Sequence, residues 1–208
     1  MNLGSLKTNL QRYGFDTSDP LQDWINEALH TFEDAYPWPF LEISTTVSVV
    51  ANNDIVPLPA DFSLLIAEPR FTTESVSLQY IGVRDLEEQG LDPTSVGLPT
   101  RYYFVGPIMR LWPIPDISRL LRITYHRKVA DLTTDGQSPT EIPTKYHYTI
   151  VYGAASVALD TEDENDRATK AEDKFQQRIS AAIDYYSKKQ LASFGQVRDS
   201  QGYADGTY

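Results

Sequence analysis

The sequence contains no cysteine, which excludes disulfide bonds, thiolate metal ligands and cysteine nucleophiles. It also lacks an apolar run of the roughly 18 residues that a membrane span requires, and its first residues lack the apolar core of a signal peptide. Basic residues are few: 18 Lys and Arg stand against 29 Asp and Glu, giving a net charge of −11. Because no apolar run is long enough to span a membrane, we expect no membrane partner. Because nucleic-acid binding depends on positive charge, we also expect no tightly held DNA.

Enzyme motifs are missing as well. The sequence has no GxSxG, no phosphate-binding P-loop and no GxGxxG. Its three histidines are dispersed: His30 is expected to form an exposed helix pair with Glu27, and His126 and His147 are expected to complete packing or a cap. We therefore predict that the protein is not an enzyme and has no cofactor.

An acidic run over residues 160–166, DTEDEND, resembles the start of a calcium-binding loop. Such a loop requires Gly at its sixth position and Glu at its twelfth, where this chain has Asn165 and Ala171. The run is better explained as an acidic helix entry, and we predict no metal site.

Four segments carry apolar residues at the spacing of an amphipathic helix. Two precede residue 41: one runs from about Leu3 to Tyr13, and the next begins with Asp19 as N-cap and Pro20 as its first residue. Two more follow residue 143, one capped by Thr144 and a longer one that ends near Leu191. The second helix should bury Leu21, Trp24, Ile25, Ala28, Leu29 and Phe32.

The middle of the chain changes to the two-residue period of β-strands. Turn residues at Asn52–Asp54 and at Gly106–Pro107 predict two hairpins, the first joining the strands on either side of residue 53. Residues 120–127, LLRITYHR, form a further predicted strand, and residues 83–90 form one or two helical turns.

These patterns predict an α+β fold: a bundle of two N-terminal and two C-terminal helices with a central β-rich insertion and a flexible C-terminal tail. We expect a single domain over residues 1–192, helical over 1–41, β-rich over 42–130 and a helical hairpin over 144–192. Residues 193–208 form the extended tail.

Two clusters are candidates for interaction. The aromatic residues Tyr36, Trp38 and Phe40 could form a ligand platform, but helix-to-strand packing is the commoner use of such a cluster. A basic stripe could bind nucleic acid or contact an acidic neighbouring subunit, and we predict the subunit contact. The stripe consists of Arg110, Arg119, Arg122, Arg127 and Lys128.

Seven segments occur in one order along the chain: DWINEALH, AYPWPFLE, VPLPADF, LPTRYYFVG, LWPIPD, ITYHRKVADLTTD and IPTKYHYTIVYGAASVAL. Together with the length and the helix-β-helix-helix layout, they resemble the head-to-tail connector proteins of tailed bacteriophages, also called adaptor or head-completion proteins. The resemblance spans approximately residues 3–191.

This resemblance implies a structural virion protein that forms a ring, typically dodecameric, beneath the portal and extends the DNA channel. Its expected partners are the portal protein and other neck or tail proteins, with DNA passing through unbound. Its expected location is the neck of the virion, after assembly in the host cytoplasm. An acidic channel wall would repel DNA phosphates and favour their passage.

In related connectors the C-terminal tail docks between portal subunits, which implies portal anchors at Phe194, Val197, Tyr203 and Tyr208. An uncommitted terminus is the alternative for this segment. For the whole protein, the alternatives are another ring-forming neck component such as a stopper, or a binding module or enzyme. The last would be a monomer with a concave pocket where carboxylates and aromatic side chains converge.

Overall fold

The computed structural model describes residues 1–74, 77–162 and 164–199, the last ten by their backbone alone. Over these residues the fold is α+β, as the sequence predicts. The helices are α1 (Leu3–Gln11), α2 (Leu21–Asp34), α3 (Val83–Glu88), α4 (His147–Thr161) and α5 (Asn165–Asp199). The strands are β1 (Glu42–Val49), β2 (Phe62–Leu65), β3 (Arg70–Phe71), β4 (Gln79–Tyr80), β5 (Val96–Gly97), β6 (Arg101–Val105), β7 (Ile108–Trp112), β8 (Ile114–Pro115) and β9 (Arg119–Arg127).

The chain divides into two compact units. The helical unit comprises Met1–Phe40 and Val129–Tyr208 and contains α1, α2, α4 and α5. The β unit comprises Leu41–Lys128 and contains all nine strands of the described residues together with α3. Along the sequence, the β unit therefore lies between helices α1 and α2 and helices α4 and α5.

The helical unit is held together by apolar helix faces at the predicted spacing. Helix α1 buries Leu3, Leu6 and Leu10, and α2 buries five of the six predicted residues, with Trp24 partly exposed. Helix α4 contacts α1, α2 and α5. Its closest approach is at Gly153, where an added Cβ would lie 2.9 Å from Phe175 and 3.0 Å from Ala28. Only glycine therefore fits without displacing a neighbouring helix.

Three predicted helix ends differ in the structure. The Asp19 carboxylate accepts a hydrogen bond from the backbone N–H of Asp16 at 2.8 Å, so Pro20 takes the N-cap position of α2. Thr144 lies in a 3-10 turn ahead of α4, and no side-chain cap forms there. Helix α5 continues to Asp199 instead of ending near Leu191, because the added segment has no proline and one Gly costs only about 1 kcal/mol.

The main sheet of the β unit has the order β1-β9-β2, with β3 also pairing with β9. All of these pairs are antiparallel, and β1 pairs with β9 from Glu42↔His126 to Val49↔Arg119. Smaller sheets have the orders β4-β6-β7 and β5-β8. One core joins the main sheet to the β4-β6-β7 sheet, and its buried members are Val49, Val56, Phe71, Leu78, Tyr102, Met109, Leu111, Leu121, Ile123 and Tyr125.

One predicted hairpin is confirmed and the other is wrong. Strands β6 and β7 pair across Gly106, whose φ is +58°, as predicted. The hairpin at Asn52–Asp54 does not form, because β1 pairs with β9 and Ile55 makes an isolated bridge to Arg110. Pro57 has no N–H and cannot complete a ladder with β1, whereas β9 offers nine continuous residues. The predicted helix at 83–90 is confirmed as α3.

Candidate interaction surfaces

The aromatic cluster of the helical unit is core, as predicted. Trp38 is fully buried, and its ring stacks on Phe32 and Phe40 with centroids 4.7 and 5.4 Å away. Its indole N–H donates to the Phe32 carbonyl at 2.7 Å. Tyr146 and Tyr186 complete the cluster from α4's entry and from α5. With its interior filled, the cluster has no room for a ligand.

Two of the three histidines form hydrogen bonds inside the protein, and His126 of β9 is half-buried. His30 pairs with Asp131 at 2.6 Å and with Glu33 at 3.3 Å, so the predicted pairing with Glu27 is wrong. Burial lowers the pKa of His30, but its hydrogen bonds to Asp131 and Glu33 outweigh this effect and raise the pKa above its usual value. His147 Nε2 donates to the Ile142 carbonyl at 3.0 Å, and burial lowers its pKa.

The acidic run 160–166 lies at the junction of α4 and α5. Glu164 pairs with Arg167 of the same helix entry. Among the described residues, no group of three or more His, Cys, Asp or Glu is placed to hold a metal ion.

The predicted basic stripe does not form one surface. Side chains of a strand alternate between its two faces, and β9 buries Leu121 and Tyr125 on one of them. Arg119 and Arg127 belong to that face. Arg122 lies on the opposite face and is exposed. The linear sequence places these cations together, but the pleat separates them.

Two of the five cations pair with carboxylates of the β unit. Arg110 Nη1 lies 3.0 Å from Asp54 Oδ2. Arg119 Nε lies 3.1 Å from Glu74 Oε1, and its guanidinium also donates to Asp116. The hydrogen bond from Arg119 holds the pKa of Asp116 below its usual value. These two arginines are therefore already used inside the chain.

Arg122 and Lys128 are exposed, and neither forms an ion pair within the described part of the chain. The register of β3 and β9 sets Arg122 opposite Arg70, which is also exposed. Arg70 cannot be recognised from the sequence, because β3 is two residues long and has no recognisable period. This pair makes the outer face of the main sheet locally basic.

A groove of about 700 Å³ runs beside β2 in the β unit. Its aromatic lining consists of Phe62, Tyr80, Tyr102 and Phe104, and its aliphatic lining includes Leu58, Leu64 and Leu65. Among the described residues that line it, Lys128 alone carries a charge. Burial raises the pKa of the Tyr102 phenol, and the charge of Glu68 adds to this effect. No carboxylate is among the described residues of its lining.

Exposed apolar side chains are concentrated in the β unit. Of the thirteen large apolar residues that are exposed among the described side chains, eleven belong to the β unit. The helical unit contributes Tyr148 and Tyr185. Where exposed apolar side chains form a contiguous patch, they mark an interaction surface. The sequence does not reveal it, because strand period alone does not say which apolar face stays uncovered.

The four predicted portal anchors lie at the carboxyl end of the chain. Phe194 and Val197 belong to α5, whose backbone is helical there. Tyr203 and Tyr208 lie outside the described residues.

The family model of the SU10 adaptor protein matches residues 1–200. The chain therefore belongs to the SU10 adaptor family, a family of structural phage proteins whose members interact with other head or tail proteins in the virion. The recognition of a phage connector from the sequence is confirmed. A search of curated proteins found no match.

Within the described ranges, no helix has both the length and the apolar character of a membrane span.

Proposed function

We propose that the protein forms a ring, typically of twelve copies, beneath the portal and joins the phage head to the tail at the neck. The observation that carries this proposal is the adaptor-family match, which spans residues 1–200 and so includes both units. The apolar exposure of the β unit supports an assembly role. In this role the protein acts through contacts and not through catalysis, and it is assembled in the host cytoplasm.

The charge of the chain supports a channel through which DNA passes without sticking. The helical unit contains nineteen acidic and ten basic residues, whereas the β unit contains ten and eight. A wall with excess negative charge repels phosphates at distances within the Debye length, about 8 Å at physiological salt. The helical unit is the better candidate for the channel wall on this ground.

The proposed contacts with partners are of two kinds. Phe194, Val197, Tyr203 and Tyr208 anchor the carboxyl end on the portal through apolar and aromatic side chains. Of the five basic residues, Arg122 and Lys128 are the exposed ones available to contact neighbouring copies, because Arg110 and Arg119 pair internally and Arg127 is half-buried.

Cryo-electron microscopy of the protein mixed with the portal of the same phage tests the proposal. We expect a closed ring on the portal with the full chain. The variant F194A/V197A/Y203A/Y208A keeps the chain length and should weaken portal binding at least tenfold, and a chain truncated after Ala192 should lose it. A monomer that does not bind the portal would overturn the proposal. A ring that binds another neck ring but not the portal would indicate a stopper.

A further inference from the structure

The groove beside β2 contains an open strand edge. Ile66 N–H donates to the Thr124 carbonyl at 2.9 Å, so the even-numbered residues of this segment point their backbone groups at β9. Leu65 consequently points its N–H and C=O away from β9. Within the described residues, these two groups have no backbone partner. Open edges of this kind accept an added strand.

Strand β1 presents a second open edge at the other side of the same sheet. Because the carbonyls of Leu120 and Thr124 point to the β2–β3 side, the odd-numbered residues of β9 bond to β1. The backbone groups of Ser44 and Thr46 then point outward. They have no backbone partner in the described part of the chain, and β1 has no proline, lysine or bulge to protect this edge.

We propose that β1 of one copy lies along β2 of the next copy in the groove, so that the main sheets of neighbouring copies become continuous. The inference rests on the proposed ring, and it names the contact between copies. A head-to-tail contact of this type uses two different edges on each copy, which is what a closed ring requires. The occupant of the groove is therefore a second copy of this chain.

The direction of the strands places Glu42 of one copy opposite Lys128 of the next. Strands β1 and β2 are both antiparallel to β9 and hence parallel to each other. If the two sheets join with their faces aligned, β1 of one copy also runs parallel to β2 of the next. Glu42, at the start of β1, then lies at the end of the groove that contains Lys128 of the next copy. Glu42 is the single charge of β1, and Lys128 is the single charge among the described residues of the groove.

The apolar side chains at the two edges are also complementary. Ile43 and Val47 of β1 are partly buried and pack against the core of the β unit from one side. Phe62, Leu65 and Phe104 do so from the groove side and are likewise partly exposed. Joining the edges covers both sets and extends the core from copy to copy.

A charge exchange tests the pairing of Glu42 with Lys128. Glu42→Lys and Lys128→Glu each place like charges at the contact and should reduce ring assembly on the portal about tenfold. The double variant E42K/K128E should restore assembly to nearly the wild-type level. Both side chains are exposed without internal ion pairs in the described structure, so folding should not change. Loss in both single variants without recovery in the double variant would overturn the proposed pairing.

Proline substitutions and hydrogen exchange test the strand addition itself. Ser44→Pro removes an outward N–H and should leave the monomer folded but unable to form rings, whereas Thr45→Pro removes a β9 bond and should unfold the β unit. In wild-type rings, exchange at Ser44 and Thr46 should slow at least tenfold relative to the monomer. Rings with unchanged exchange, or rings from Ser44→Pro, would overturn this inference alone. Absence of wild-type rings would overturn the proposed function and the inference with it.

Discussion

The two units of the chain bury and expose their side chains differently. The helical unit covers its apolar residues with its own helices and leaves mostly charged side chains outside, and its acidic residues outnumber its basic residues by nearly two to one. The β unit is close to neutral and carries most of the exposed apolar side chains. Excess negative charge and apolar exposure thus belong to different parts of one chain.

The apolar cores of the two units also differ in how completely they are enclosed. In the helical unit, small residues such as Gly153 and Ala154 let helices approach closely, and Trp38 fills the space between them. In the β unit, the sheet core is open at the β1 edge and at the groove. Mutations that break a closed core should therefore affect stability, whereas mutations at open edges should affect assembly. The following predictions test this difference.

Trp38→Ala should have the largest effect on stability. It removes a fully buried ring, its two stacking contacts and a hydrogen bond, and should lower the free energy of unfolding by about 4 kcal/mol. The matched change in the β unit is Trp112→Ala, where the ring is partly exposed and the loss should be about half as large. Urea unfolding followed by circular dichroism measures both. Equal losses would contradict the difference between the two cores.

Gly153→Leu should destabilise the helical unit by about 3 kcal/mol, near the upper end of the cost of overpacking. The added side chain meets Phe175 and Ala28 at distances that real side chains do not adopt. Gly97→Ala in the β unit is the control, because its Cβ would meet nothing within 4 Å, and it should change stability by less than about 0.5 kcal/mol. Thermal unfolding of both variants measures these changes in stability. A Gly153→Leu variant as stable as the wild type would refute close packing at Gly153.

Tyr125→Phe should destabilise the β unit by about 2 kcal/mol, because it removes a partly buried 2.8 Å hydrogen bond from the Tyr125 hydroxyl to the Asp61 carboxylate. Burial, together with the hydrogen bond to Asp61, raises the pKa of Tyr125 to about 12. The stabilisation is therefore complete below pH 10 and is lost as the pH rises through 12.

The difference in unfolding free energy between wild type and Tyr125→Phe should accordingly shrink between pH 10 and 12. Tyr80→Phe, at an exposed position, is the control and should show no such change. A constant difference across this range would show that the hydrogen bond does not control the ionisation of Tyr125.

Local patterns in the sequence predicted the parts of the fold that depend on neighbouring residues. Helical spacing identified the buried faces of α1, α2 and α4, and Gly106 identified the β6–β7 hairpin because a tight turn needs a positive φ there. Cap positions were less predictable, since Asp19 has a competing local acceptor role. The α+β class followed from the order of periods along the chain.

Long-range pairing limited the prediction of the candidate site. Strand β1 pairs with β9, whose paired residues are 70 to 84 positions away, so its open edge has no local signature. The groove likewise brings Leu58 together with Phe104 and Lys128, which are distant from it in sequence. The basic stripe was misleading for the converse reason: adjacent cations in a strand point to opposite faces. A sequence shows which residues are available, and the register decides which of them share a surface.

His30→Gln should have the smallest effect and one that depends on pH. The raised pKa of His30 means that the charged form is stabilised in the folded protein, so its contribution is present below pH 6.5 and is lost as the pH rises through the folded-state pKa. Because His30 and Asp131 are half exposed, the loss should be about 0.5 kcal/mol at pH 5.5 and close to zero at pH 8.5. Asp131→Asn should reproduce most of this pattern. Equal losses at the two pH values would show that His30 contributes through packing in the helical unit and not through its charge.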